Sequence, residues 1–271
     1  MGREAWVTFI ILLLAAGAVF AHATTTIEDY SRHNIGWNGT SNLAIGEIHD
    51  LADLTPGTTL LILAPERPFT AEDVAHLRAF LDDGGEVIVA EKDGAANSLL
   101  AALGSTMRVW PGNLSSLDRD HTDPRIFRVQ VTGNASIFAG ITTLLVNHPA
   151  AVTGGEPLLE TSPLTWDDTN GDGRVNGHET FRRAVVCARE DNLIVLGDPS
   201  LFINAMLPEN PEFIKNLRNH PVLIDAHHSR TGTKNPIINT LIWIQMTPLA
   251  RAAIAALAIL PVAYWFGRRR E

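Results

Sequence analysis

Cysteine is almost missing: Cys187 is the only one in 271 residues, so neither an intrachain disulfide nor a thiolate metal cluster can form within this chain. It sits in the apolar run Ala184-Val185-Val186-Cys187-Ala188, which reads as a buried strand with the thiol as a small core group. There is no Gly-x-Ser-x-Gly or Gly-x-Cys-x-Gly elbow, no phosphate-binding glycine loop and no paired His-Glu metal helix. No internal repeat or low-complexity tract occurs. Positive charge is scarce too, with 21 Lys and Arg against 30 Asp and Glu and a formal net charge of -9. Five of the arginines (Arg3, Arg251, Arg268, Arg269 and Arg270) lie in or beside the apolar termini, so the middle of the chain is strongly acidic. Without a basic stripe it would repel phosphate backbones, and nucleic acid is not an expected partner. Such acidity suits a solvated surface in salty surroundings, or one that collects divalent cations.

What the chain does have is apolar ends. Ala5 to Phe20 carries no charge and is centred on Ile10-Ile11-Leu12-Leu13-Leu14. Ala21-His22-Ala23 follows, the small-x-small pattern of signal cleavage, and then Thr24-Thr25-Thr26. Residues 1–23 are expected to be a secretory signal peptide, or an uncleaved N-terminal anchor. At the other end, Pro248 to Phe266 holds a single charge, Arg251, and Arg268-Arg269-Arg270 follows at once. A span needs about 20 apolar residues. Residues 248–266 are therefore expected to be a transmembrane helix, 236–247 a juxtamembrane stretch and 267–271 a cytoplasmic basic tail. Arg251 can snorkel to the outer headgroups, and Tyr264 and Trp265 suit the inner interface. By the positive-inside rule residues 24–235 face outward, as an extracytoplasmic domain on the cell membrane. Outward exposure gives meaning to three acceptor sequons at Asn38, Asn113 and Asn134.

The middle reads as α/β. Leu60 to Ala64 is a continuous apolar run closed by Pro65, the pattern of a strand buried on both faces. Thr70 with Asp73 three positions later predicts a helix start ahead of Val74, Leu77, Phe80 and Leu81, and Gly84-Gly85 predicts its stop. Glu86 to Ala90 is the next strand, which completes a βαβ unit. Further strands are expected at Thr25 to Ser31, Ile141 to Val146, Arg183 to Ala188, Leu193 to Gly197 and Val222 to Asp225. Helices are expected to open at Ser41 and to run from Asn210 to Leu217, with Leu103 to Phe138 a peripheral β excursion. The expected fold class is a doubly wound, mostly parallel sheet.

The most specific chemistry lies in Asp168-Thr169-Asn170-Gly171-Asp172-Gly173-Arg174-Val175-Asn176-Gly177-His178-Glu179, which fits the twelve-residue calcium loop at its defining positions. Asp168, Asn170, Asp172, Asn176 and Glu179 would offer side-chain oxygens and Arg174 its carbonyl, with Gly173 at the sharp turn. Helices do not flank it, so residues 168–179 are an EF-like loop and not a whole EF-hand. Its expected role is structural, and its cofactor calcium.

In an open parallel sheet, ligands bind beyond the carboxyl ends of the strands. The polar residues expected there are His33, Asn34, Asn38, Glu91, Asn147, His148, Asp198, Ser200, Asn204, Asp225, His227 and His228. Of these, Asn34, Asn38, Asp198, Asn204, Asp225, His227 and His228 form the expected ligand or partner rim.

Five segments carry a family resemblance: the Asn34 to Leu43 loop; Leu61-Ile62-Leu63-Ala64-Pro65; Leu77 through Gly84-Gly85 to Ile88; Gly197-Asp198-Pro199-Ser200-Leu201-Phe202-Ile203-Asn204; and Asp225-Ala226-His227-His228. Together they resemble the DUF-4350 domain family, a group of unknown function. The resemblance implies a fold similar to class I glutamine amidotransferase-like (flavodoxin-like) domains and membrane-tethered envelope proteins. It transfers no activity, because no nucleophile elbow is present. The leading expectation is a non-catalytic, membrane-anchored domain that binds a ligand or partner or serves envelope assembly. The rivals are an unusual hydrolase using Asp198, His227 and His228, and an accessory subunit of an export or surface-assembly complex with envelope protein partners.

Overall fold

The computed structural model describes residues 24–246, together with residues 7, 10–12, 14, 15 and 17. The chain divides into two compact units, Ile27–Gly232 and the described parts of 1–26 and 233–271.

The Ile27–Gly232 unit is built on a nine-stranded sheet in the order β1-β13-β2-β3-β12-β11-β9-β6-β7. Strands β1 (Gly46–Ile48), β13 (Val222–Asp225), β2 (Thr59–Leu63), β3 (Glu86–Ala90) and β12 (Leu193–Leu196) are parallel neighbours. From β12 outward the pairings turn antiparallel, through β11 (Val185–Glu190), β9 (Glu156–Glu160), β6 (Ile126–Val131) and β7 (Thr143–Asn147). The parallel half is as expected. The antiparallel half arises because β11 and β12 are joined by a tight hairpin at Asp191-Asn192, with Asp191 at φ 50°. A hairpin can connect only antiparallel strands.

Side chains alternate across the parallel strands and supply two apolar layers. Leu61 and Leu63 of β2, Ile88 and Ala90 of β3, and Ile194 and Leu196 of β12 share one layer with Phe213, Ile214 and Leu217 of α3 (Pro211–Arg218). Leu60, Ile62, Val87, Val89, Leu193 and Val195 share the other with Leu77 and Phe80 of α1 (Ala71–Asp82) and Leu99 and Leu100 of α2 (Asn97–Leu103). Helices thus cover both faces, and this is why these strands read as unbroken apolar runs. Each fully buried Leu or Ile contributes about 2 kcal/mol relative to exposure. Helix α1 opens with the predicted capping box: Thr70 Oγ1 accepts from the Asp73 N–H and Asp73 Oδ2 from the Thr70 N–H. Gly85 cannot carry a side chain, since a Cβ there would lie 2.4 Å from the Phe80 ring.

Two expectations fail near the N-terminus. Thr25 to Ser31 is not a strand, and no helix opens at Ser41; the first strand of the sheet is Gly46–Ile48. Tyr30 and Ala44 have φ of 61° and 54°, which neither strand nor helix admits. The segment is instead a compact loop, closed by Tyr30 N–H to Asn38 O (2.8 Å) and Thr40 N–H to Ser31 O (3.1 Å). The Leu103 to Phe138 excursion is partly peripheral. Strands β4 (Arg108–Trp110) and β5 (Asn113–Ser116) pair with β8 (Ala151–Thr153) and β10 (Thr165–Asp168) in two small sheets, but β6 belongs to the main sheet.

In the second unit, α4 (Pro236–Met246) starts at a Pro, and Asn235 Oδ1 accepts from the Ile237 N–H at 2.9 Å. Val7, Ile10, Ile11, Leu12 and Leu14 are helical and at least half exposed. Among the described residues no helix is long and apolar enough to cross a membrane. The stretch 248–266 and most of 1–23 lie outside the described residues.

Candidate functional site

Two adjoining clefts, of about 300 and 200 Å³, open at the carboxyl ends of the central strands and share Asp29, Tyr30 and Lys92 in their walls. Ala64-Pro65-Glu66 enters from the end of β2, Glu91-Lys92-Asp93 from β3, and Pro199 and Ser200 from beyond β12. The antiparallel half folds back to complete the site, which brings β7, at the far edge of the sheet, to the end of β12. There the Asn147 N–H donates to Asp198 Oδ2 (2.7 Å) and the Ala150 N–H to Gly197 O (2.8 Å). Asn147 and His148 thereby line the smaller cleft.

The backbone is strained around this crevice. Non-glycine residues with left-handed φ are Tyr30 (61°), Ala44 (54°), Ala64 (45°), His148 (59°) and Asp191 (50°) among the described residues, and three of them line the clefts. Such residues cost of order 1–3 kcal/mol each and cluster where a site must be shaped.

Buried charge is concentrated here too. Glu91 Oε2 accepts from the N–H groups of Asp93 (2.8 Å), Gly94 (2.9 Å) and Ala95 (3.2 Å), whereas its Oε1 is buried without a partner. Burial outweighs those donors and pushes its pKa up. Asp198 is fully buried and pushed up to about 6 by desolvation, against the Asn147 and Ser200 N–H donors. Burial raises the Tyr30 phenol to about 12. His148 is held below the usual imidazole value by burial and the nearby Arg125, although Asp123 Oδ2 lies 3.3 Å from its Nε2. Burial also pushes the Cys187 thiol up, consistent with an inert core group.

The expected rim divides into braces and wall. Asn34 is buried and serves its own loop, donating to Glu28 O and Asn38 Oδ1 and accepting from the Gly36 N–H. Asn204 donates to Asn34 O, Gly36 O and Ser41 Oγ and accepts from the Asn42 N–H, which ties that loop to the segment after β12. Asn38 bonds Asp29 and lines the smaller cleft. Asp198 holds β7 and caps the turn after β12. His33 is partly exposed, and its pKa is lowered by burial.

Asp225, His227 and His228 form a separate cluster. Asp225 Oδ1 accepts from the His227 and His228 N–H groups (2.9 and 3.1 Å), and its Oδ2 lies 2.7 Å from His228 Nδ1. Phe69 stacks on the His228 ring at 3.9 Å, and Asp73 Oδ2 lies 3.4 Å from His228 Nε2. Among the described residues no hydrogen bond or ion pair joins Asp198 to either histidine, so the structure does not assemble the three into one catalytic set.

The 168–179 loop leaves the end of β10. Gly173 takes φ 68°, and its N–H donates to Asp168 Oδ2 (3.0 Å), which also accepts from Ser115 Oγ (3.0 Å). Asp168 is 3% exposed and its Oδ1 is buried with no partner. The remaining carboxylates are occupied locally: Glu179 by Asn176 and Thr169, Asp172 by Asn176, Arg174 and Asn170. Those bonds hold both below the usual carboxylate range. Among the described residues no group of three or more His, Cys, Asp or Glu side chains is placed to hold a metal. A calcium loop draws further oxygens from Asn side chains and a backbone carbonyl, and the orphaned Asp168 oxygen is the group a hard cation would satisfy.

Asp29, Tyr30, Trp37, Glu66, Lys92 and Arg230 were not expected in the site. The first three lie in the segment read as strand and loop, and no local pattern reports that it lies over the strand ends.

Comparisons with solved structures return the "mmIFT52 N-terminal domain" at 19% identity and TM-score 0.46, over 60% of this chain and 77% of that one. The β-galactosidase from psychrophilic Marinomonas ef1 aligns at 16% identity and TM-score 0.28, over 58% of this chain and 20% of the enzyme. α-L-fucosidase isoenzyme 2 from Paenibacillus thiaminolyticus aligns at 14% and TM-score 0.32, over 62% and 25%. No protein of curated function gives a significant match. The family described as "Domain of unknown function (DUF4350)" matches residues 34–217, well over half the chain, and this protein belongs to it.

Proposed function

We propose that this protein is a membrane-tethered, extracytoplasmic binding domain without catalysis of its own, whose strand-end cleft takes a ligand or partner and whose 168–179 loop holds structural calcium. The observation that carries the cleft reading is the convergence of three left-handed residues, Tyr30, Ala64 and His148, on one crevice over the parallel strands. Ala64 supports the non-catalytic part. It holds the left-handed backbone position directly after β2, at the cleft, and its side chain carries no nucleophile. The parallel half with helices on both faces accords with the glutamine amidotransferase-like pattern that the resemblance implies. Support for the tether is the apolar 248–266 stretch with its arginine cluster and the exposed apolar side chains of the N-terminal segment. An epitope inserted in the exposed 118–122 loop should be labelled on intact cells. Labelling only after permeabilisation would discard the topology.

Calcium would act by tying Asp168, at the end of β10, to the loop it starts. Binding to the folded state alone stabilises by about 2.7 kcal/mol at a concentration a hundred times Kd. The thermal midpoint of the full chain should therefore fall when calcium is chelated, and Asp168→Ala should abolish the difference. A midpoint indifferent to chelator in the native protein removes calcium from the proposal.

A further inference from the structure

The smaller cleft carries a feature that a generic binding site does not need. Trp37 is 69% exposed, yet the loop that presents it is braced by long-range bonds. Trp37 O accepts from the Ala205 N–H (3.0 Å), Gly39 O from the Asn204 N–H (2.7 Å), and the Asn204 amide clamps Asn34 and Gly36 on either side. Gly39 is packed so closely that a Cβ would lie 1.9 Å from Asn34 O. An indole held outward by a rigid loop is a prepared surface, because the ordering that a flexible aromatic would undergo on binding has already been met in folding.

The rest of the wall fixes what the indole would face. Asn38, Asn147, Asp29 and Lys92 line the same cleft, with the Tyr30 ring beside them. Among the described residues, the Lys92 ammonium, the Asn147 side-chain amide and the Trp37 indole N–H have no hydrogen-bond or ion-pair partner. They are donors and acceptors waiting in a cleft of about 200 Å³. Asp29 and Lys92 balance one another, and His148 is held towards its neutral form. A phosphate or other strong anion is disfavoured by Asp29 and by Glu91 and Asp93 in the adjoining wall. A wholly apolar ligand would strand the unpaired polar groups away from water. The class that fits has a flat apolar C–H face for the indole and a rim of neutral hydroxyls that amides, a carboxylate and an ammonium can bind together.

We infer that this cleft binds a neutral sugar ring, stacked on Trp37 and hydrogen-bonded through Asn38, Asn147, Asp29 and Lys92. This inference rests on the strand-end cleft being a binding site and names its ligand class. The test is saturation-transfer-difference NMR on the full chain in a detergent without a sugar headgroup. The probes are methyl glucoside, methyl galactoside, methyl mannoside and N-acetylglucosamine, with inorganic phosphate and indole beside them. At least one sugar should show transfer to its ring C–H protons. Its affinity should fall tenfold or more, about 1.4 kcal/mol, in Trp37→Ala and stay near the native value in Trp37→Phe. Trp37→Ala should keep the native thermal midpoint, since the side chain is exposed, and Lys92→Met supplies a second variant outside the loop. Sugar binding indifferent to both variants overturns the inference. Binding of phosphate or indole alone, lost in Trp37→Ala, overturns the sugar class and leaves the cleft standing. Silence from all six probes overturns the sugar class and counts against the cleft.

Discussion

Glu91 shows how one side chain can hold a site open. Three consecutive N–H groups of the turn after β3 converge on its Oε2, and its Oε1 stays buried and unpaired beside the larger cleft. Glu91→Ala would strand those donors and should destabilise the protein by about 3 kcal/mol, since each buried unsatisfied group costs ~1–3 kcal/mol. Glu91→Gln keeps one acceptor oxygen and should recover most of the loss. Urea denaturation of both variants checks the order; equal stability of Ala and Gln would show that the three bonds contribute nothing. Asp198 makes the complementary case. Its pKa of about 6 exceeds the ordinary aspartate value, so the folded state binds the proton more tightly. The stability it contributes is complete below about pH 4 and lost as pH rises through about 6.

Among the elements, the Ile27 to Leu43 loop is the one on which most depends. Only its Asn- and Gly-rich middle reads as a loop, and the tertiary role comes from Asn204, which lies beyond β12 and closes the loop from outside. Gly39 marks the tightest approach, and Gly39→Ala should force the loop off its Asn34 contact. The expected outcome is loss of ligand binding with a destabilisation of about 1–3 kcal/mol, the usual range for overpacking. Unchanged loop protection in hydrogen exchange would contradict it. Helix α1 differs, because its start, apolar face and stop are all local, and Thr70→Ala should cost only the ~1 kcal/mol of a lost cap.

At the scale of the whole molecule, His228 links the end of β13 to the capping box of α1. Burial alone would lower its pKa, but Asp225 and Asp73 outweigh that and raise it. His227, edge-on at 4.7 Å, is the other titratable group against it. A raised imidazole pKa means stability that is fully present below about 6.5 and lost as pH rises through the folded-state value. The denaturation midpoint should fall with rising pH above about 6.5 in the native chain and less steeply in His228→Gln. Parallel pH profiles for the two would show that His228 binds its proton equally well in the folded and unfolded states.

The sequence alone determined the parallel core. Continuous apolar runs, a capping box and a glycine stop are all local, so residues 59–90 could be read directly. The rim was legible only as a set of strand ends: it named Asn38, Glu91, Asn147 and His148 but could not separate them from the braces Asn34 and Asn204. Tertiary structure decided the rest. Hairpin pairing from β12 onward turned half the sheet antiparallel and returned β7 to the end of β12, and the loop around Tyr30 and Trp37 was laid over the strand ends by bonds spanning more than 160 residues. Contacts at that separation leave no trace in hydrophobic period or capping pattern, which report only neighbours along the chain.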